Sequence, residues 1–239
     1  VAGKKVKLAF TPVDEASVPP ETKVEHAGMT NCVYAAGRVV GRRQLPEGAG
    51  ASELFFLDRG ATEPRRLQLK PASFKTPAIS LDGSRAMVAY GGPRSAVVEI
   101  DLDTGNMTTV WAQAAPMHDW WPPIEQPQYA VDGRVVFHTS VKQVLMKRSN
   151  DDTLEPVTAL DGVEKCFAST SLFEGKFLLY NATASTFVVA VKNDSLYLLA
   201  KASLKKQAYS TRGGRLFALD AVTKVRSEAL NLAAVWETL

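Results

Sequence analysis

The side chains able to do acid–base, nucleophilic or metal chemistry are few in this 239-residue chain, and they are scattered along it. Three histidines occur, His26, His118 and His138, at spacings that suit no metal-ligand motif, and neither HExxH nor CxxC is present. His118-Asp119 has the composition of a catalytic or ligating pair. On an extended segment, however, adjacent side chains point to opposite sides, which is poor geometry for a dyad. No GxSxG elbow carries a nucleophilic serine. Gly91-Gly92-Pro93 lacks the Lys-Ser/Thr and the helix start of a phosphate loop and reads as a turn. A glycosidase would need two carboxylates converging within about 10 Å. Asp58, Asp101, Asp103 and Asp119 are the candidates, but the first three sit in turn-forming sequence, where aspartate bonds its own backbone. The reading is therefore no catalytic set, no metal and no cofactor.

The bulk numbers place few further limits. The chain is 46% hydrophobic and 22% charged, as for a soluble domain with a full core. A net charge of +3 is too weak to argue for nucleic acid. The basic pairs Arg42-Arg43, Arg65-Arg66, Lys147-Arg148 and Lys205-Lys206 read as a solvated rim, with an acidic partner as the sharper alternative. Apolar runs such as "TFVVAV" from Thr186 to Val191 are strand-sized, and none approaches the roughly 20 residues of a membrane span. Cys32 and Cys166 read as two free, buried thiols, with a single long-range disulfide as the alternative that spacing leaves open. The compartment is left open, an intracellular setting slightly favoured over a periplasmic or secreted one. Three tripeptides beginning at Asn106, Asn181 and Asn193 fit the glycosylation pattern, which matters only after secretion.

What must position any site is a repeat. A glycine followed by a basic or small residue and a β-rich run returns at Gly3, Gly37, Gly83, Gly133, Gly175 and Gly214. The separation averages roughly 42 residues, the length of a four-stranded propeller blade. "TPAISLDGSRAMVAY" and "QPQYAVDGRVVFHTS" align without gaps, pairing Ile79 with Tyr129 and Asp82-Gly83 with Asp132-Gly133. Asp-Gly supplies the backbone of a tight hairpin turn, and Pro77 and Pro127 stand where a strand can begin. "AVVEIDLDTGNMTTVW" after the first copy is a second hairpin. "SELFFLDRGATEPRRLQL" and "QVLMKRSNDDTLEPVTAL" share its plan, and "RLFALDAVTKVRSEAL" does so loosely.

The repeat resembles that of TolB-type β-propellers, relatives of WD-repeat proteins, over Pro77 to Trp111 and Pro127 to Leu160 and more loosely over Cys32 to Leu69. The resemblance implies an all-β fold, a single small propeller of five or six four-stranded blades. Blade-like units are expected near 29–70, 71–112, 124–161, 163–207 and 208–239, with residues 1–10 completing the last. Thr11 to Ala27 reads as an extended loop. The tail from Ser227 to Leu239 fits either a short helix or a closing strand.

Propellers commonly bind partners on the face carrying the D–A and B–C loops. "AQAAPMHDWWPPIEQ", from Ala112 to Gln126, is the longest and most aromatic D–A connection that the repeat identifies. Trp120 and Trp121, beside Met117, His118 and Asp119, offer large contact area at low entropic cost, and Pro122-Pro123 stiffen the segment. One tryptophan is expected to plug the gap between blades and the other to face out. The function expected is a non-enzymatic scaffold binding a peptide or helix of a partner protein. A carbohydrate-active hydrolase or lyase, and a structural propeller domain of a longer chain, are the alternatives.

Overall fold

The computed structural model of the chain describes residues 11–14, 16, 28–45, 51–70, 72, 74–89, 96–112, 126–138, 142–161, 166–182, 185–202, 207–220 and 222–239. Within them lie five antiparallel four-stranded sheets, divided between two compact units, Lys23–Glu164 and Val1–Thr22 with Lys165–Leu239.

β1 (Thr11–Pro12) belongs to the second unit and pairs there with the last strand. The first unit holds three sheets. The first blade is β2 (Thr30–Ala35), β3 (Arg38–Gln44), β4 (Ser52–Leu57) and β5 (Arg65–Arg66). The second blade is β6 (Ala78–Ile79), β7 (Arg85–Ala89), β8 (Ala96–Asp101) and β9 (Met107–Ala112). The third blade is β10 (Gln126–Tyr129), β11 (Val135–His138), β12 (Lys142–Arg148) and β13 (Leu154–Asp161). In each sheet the strands, A to D, pair in sequence order. Sheet faces pack in pairs. Leu54 and Phe56 of the first blade meet Ile79, Val88 and Ile100 of the second. Met87 and Val97 from the other face of the second blade meet Tyr129, Val135 and Phe137 of the third. Each such fully buried aliphatic or aromatic side chain contributes about 1.5–3 kcal/mol relative to exposure. This double-sided burial explains why β7 and β8 read as apolar runs rather than as an alternating pattern.

The second unit holds two sheets. One is β14 (Cys166–Leu172), β15 (Phe177–Ala182), β16 (Thr186–Lys192) and β17 (Ser195–Ala202). The other runs β18 (Gln207–Arg212), β19 (Arg215–Asp220), β20 (Arg226–Asn231), with β1 as its fourth strand. The tail takes both expected forms in turn. β20 is a strand, and Asn231 then caps the helix α1 (Leu232–Thr238) by accepting a 3.0 Å bond from the Ala234 N–H. The ring of Trp236 in α1 meets Phe177 edge-on at 5.7 Å.

Two expectations need correction. The segment from Thr11 to Ala27, read as a loop, begins as a strand of the last blade, because Thr11 pairs with Glu228 and Pro12 with Ser227; the expectation that residues 1–10 complete that blade falls outside the described residues. Pro12 is tolerated because β1 is an edge strand and needs no inward N–H there. The gap-free alignment also slips by one residue after the turn. The second blade closes its A–B hairpin between Ser80 and Arg85, while the third closes between Ala130 and Arg134. The cause is local. The Asp82 carboxylate accepts from the Ser80 hydroxyl and the Ser84 N–H, building a four-residue turn. Asp132 and Gly133 instead both take positive φ and close in three residues.

Four blades, the fourth included, fit the repeat as read. In the fifth, "RLFALDAVTKVRSEAL" supplies strands B and C rather than C and D, since Gly214 lies in the β18–β19 turn. The blade count is five.

Candidate functional site

The repeat glycine is followed, at the start of each B strand, by a basic residue. By strand register these are Arg38, Arg85, Arg134, Lys176 and Arg215. In the first blade this side chain latches onto the second. Arg38 holds Asp58 of its own blade at 3.0 Å, and it donates to the Asp103 carboxylate and, at 3.1 Å, to the Gly83 carbonyl of the next. Arg38 also lies over the buried Phe56 ring at 5.7 Å, with Arg65 over the same ring at 4.7 Å. Arg65 continues across to the Leu102 carbonyl.

At the corresponding place in the second blade, the C strand carries Glu99 where the first carries Phe56. Glu99 is only 5% exposed, so its charge must be met by donors. Tyr129 Oη donates to Oε1 at 2.7 Å, and Arg148 Nη2 donates to the same oxygen at 2.8 Å. Arg85 Nη1 donates to Oε2 at 3.3 Å. Tyr129 and Arg148 come from the third blade, so the carboxylate ties two sheets together. The electrostatics follow. Burial, reinforced by the neighbouring Glu99 carboxylate, pushes the Tyr129 phenol well above its ordinary pKa. Burial lowers the Arg148 pKa, but the Glu99 and Asp152 carboxylates outweigh it and leave the guanidinium above its ordinary value.

A pocket of about 370 Å³ opens above this network, lined by the A–B turns of the second and third blades. Ser80, Asp82 and Ser84 form one wall, Asp132 and Gly133 the other, and Arg85, Glu99, Tyr129 and Arg148 the floor, with Leu81 at the rim. Three carboxylates therefore share one pocket, the arrangement a hydrolase would require. Each is committed. Asp82 is held by Ser80 and Ser84, which lower its pKa. Asp132 pairs with Arg134 at 3.3 Å, and Glu99 has three donors. Among the described residues, no group of three His, Cys, Asp or Glu side chains could hold a metal ion.

Of the residues expected to make contact, Met117, His118, Asp119, Trp120 and Trp121 all lie outside the described residues. Their loop leaves β9 at Ala112 and enters β10 at Gln126. In their sheets these strand ends lie away from the A–B turns that line the pocket. At the loop end of the third blade, Gln126, His138 and Gln143 stand side by side across three strands, all buried. Burial lowers the His138 pKa to about 4 and keeps the ring neutral. Asp58 and Asp101 bond their own turn backbones, as expected of turn formers, at 2.8 Å to Arg59 N and to Thr104 N. Cys32 is a free thiol, its pKa raised by burial.

The sequence reading missed Glu99, Arg85 and Arg148 as a set. The available signal was an acidic residue inside the apolar run "AVVEID". The basic pairs also proved less solvated than expected. Arg148 turns inward while Lys147 is exposed, and Arg43 stacks on Phe55 at 4.3 Å.

No family model matches the chain, and no curated protein sequence does either. Solved structures do resemble it. A putative 6-phosphogluconolactonase from Bacteroides uniformis superposes with a TM-score of 0.53 at 15% identity, covering 77% of this chain and 61% of that one. The β-propeller domain of Cps50 (Swd1) from Myceliophteria thermophila gives 0.50 at 10% identity, over 87% and 88% of the two chains. The Dos1 propeller gives 0.54 at 9% identity, over 80% and 50%. The chain thus spans about three fifths of the length of the lactonase-like protein. Likeness at this identity speaks for fold alone. With five four-stranded blades and these neighbours, the chain has the fold of a β-propeller.

Proposed function

We propose that this propeller is a binding module for a partner protein and performs no chemistry of its own. The observation that carries the reading is the state of Glu99. The most buried carboxylate of the pocket has both oxygens engaged by structural donors, Tyr129 and Arg148 on one and Arg85 on the other, which supports a role in organising a surface. The A–B turns around it are pinned by their own side chains, which lowers the ordering cost of any contact made there.

The second contact region in this proposal is the 113–125 loop, with Trp120 and Trp121 as anchors and Met117, His118 and Asp119 beside them. Position between two blades and aromatic content support it. The test is affinity capture with mass spectrometry, comparing wild type with the Trp120→Ala/Trp121→Ala variant. A partner retained by wild type and lost by the variant, at an unchanged thermal melt, is the expected result. A variant that unfolds places the tryptophans in the core and removes them from the contact surface. Turnover of any glycan or lactone by the purified chain would overturn the non-enzymatic reading.

A further inference from the structure

We infer that the pocket between the second and third blades takes a carboxylate side chain from an acidic segment of the partner, with Arg85 as its anchor. The inference rests on the partner-binding reading above and names the chemistry of one of its contacts.

Arg38 and Arg85 occupy the same position in consecutive blades, the first residue of strand B, and each pairs with a carboxylate of its own blade, Asp58 and Glu99. At the first junction, Arg38 has its acceptors supplied by the chain itself, the Asp103 carboxylate and the Gly83 carbonyl. At the second junction the chain supplies only Glu99, to one Nη of Arg85 at 3.3 Å. That is the one hydrogen bond its guanidinium makes among the described residues, and the side chain is 44% exposed in the pocket. Acidic residues in the third blade's C–D turn do not fill the place. Asp152 is bound to Arg148, and Asp151 to Ser149 and Thr153. A guanidinium held along one edge presents its remaining donors as a planar fork, the geometry that recognises carboxylate. Glu99 holds one side of that fork, while Arg148 beside it is spent on Glu99 and Asp152.

The pocket also says how the carboxylate arrives. Leu81 stands at the rim, 44% exposed and unusual for a large aliphatic side chain in a turn. It suits an apolar residue flanking the acidic one, so a peptide-borne acid fits better than a free small acid.

The probe is the acetylated, amidated tripeptide Leu-Glu-Leu, with Leu-Gln-Leu as its uncharged counterpart and free glutarate as the small-acid arm. Binding is followed through arginine Nε–H NMR signals, with the Arg85 signal assigned by its loss in Arg85→Gln. We expect saturable movement of the Arg85 signal by Leu-Glu-Leu, none by Leu-Gln-Leu, and weaker binding of glutarate. Arg85→Lys keeps the charge but loses the fork and should weaken binding about tenfold. Arg66→Gln, which alters an exposed arginine paired with Glu53 outside the pocket, should leave binding unchanged. No movement of the Arg85 signal up to about 10 mM peptide overturns the inference, since even a weak specific contact would register there. Glutarate binding as tightly as the peptide also overturns it, by assigning the site to a small molecule. The titration does not use the tryptophans. Its failure beside a tryptophan-dependent capture would therefore sink this inference alone.

Discussion

The junction between the first and second blades and the junction between the second and third are built from equivalent positions, yet one is filled and the other open. At the first, Phe56 occupies the centre and two arginines stack on it before reaching across to backbone carbonyls. At the second, Glu99 occupies the centre and draws Arg85 back toward its own blade. Thr108 stands where the first blade has Arg65, so no second arm crosses from that side. The turns register the difference. A methyl group on Gly83 would lie 2.9 Å from the Ala35 carbonyl oxygen, whereas one on Gly133 would meet nothing within 4 Å. One exchange of an aromatic ring for a carboxylate thus converts a packed seam into a pocket with a polar floor.

The largest expected effects come from the two central residues. Phe56→Ala should cost about 3–5 kcal/mol through the cavity it leaves. Glu99→Ala should cost a similar amount, about 3–5 kcal/mol, by a different route, since it strands buried donors. The two routes separate on repair. Glu99→Leu combined with Tyr129→Phe removes the carboxylate and its most buried donor, leaves Arg148 its pair with Asp152, and should recover part of the loss in urea denaturation. If the double variant is as unstable as Glu99→Ala, the second junction is held by packing like the first, and the contrast fails.

Next comes pH. His138 lies in the third blade at the end away from the pocket, and its folded pKa of about 4 is below the ordinary 6.5. The unfolded chain therefore binds the proton more readily. The histidine's contribution is fully present above pH 6.5 and is lost as pH falls toward 4, about 3 kcal/mol in all. Asp82 in the pocket wall runs on a lower window. Its depressed pKa gives stability that is present above its ordinary value near 3.8 and lost only below it. Urea midpoints between pH 7 and pH 4.5 should drop for wild type and stay nearly flat for His138→Gln. A flat wild-type profile would show that the imidazole takes up its proton without cost.

The smallest effects are at the turns. Gly83→Ala and Gly133→Ala both place a side chain at positive φ, at a cost of about 1 kcal/mol each. Only Gly83→Ala adds a clash with backbone, so it should be the worse of the two by about 1–2 kcal/mol. Equal melting temperatures for the pair would mean that the second junction closes in solution as the first does.

Features set by neighbouring residues were legible in the sequence. The glycine at each A–B turn, the Asp101 turn and the strand that follows each glycine depend on contacts a few residues apart, so they read directly. The site did not. Glu99 is recognisable only once Tyr129 and Arg148 are beside it, and these lie 30 and 49 residues away. The extra residue in the Asp82 turn depends on hydroxyls from Ser80 and Ser84 that any polar turn might contain. Of β1 the described residues are Thr11 and Pro12, and a Thr-Pro pair carries no alternating pattern that announces a strand.

That pairing has a consequence for how the protein is made. Thr11 pairs with Glu228, so strand β1 leaves the ribosome well ahead of its partner β20. At about 5–20 residues per second, roughly 10–40 s separate the two. During that interval β19 and β20 do not yet exist, and the segment around Thr11 must stay clear of every other unpaired strand edge in the growing chain. Pro12 has no N–H to offer a wrong partner, so the end of this strand is a weak template for mispairing. The proline suits a segment that must wait for its place.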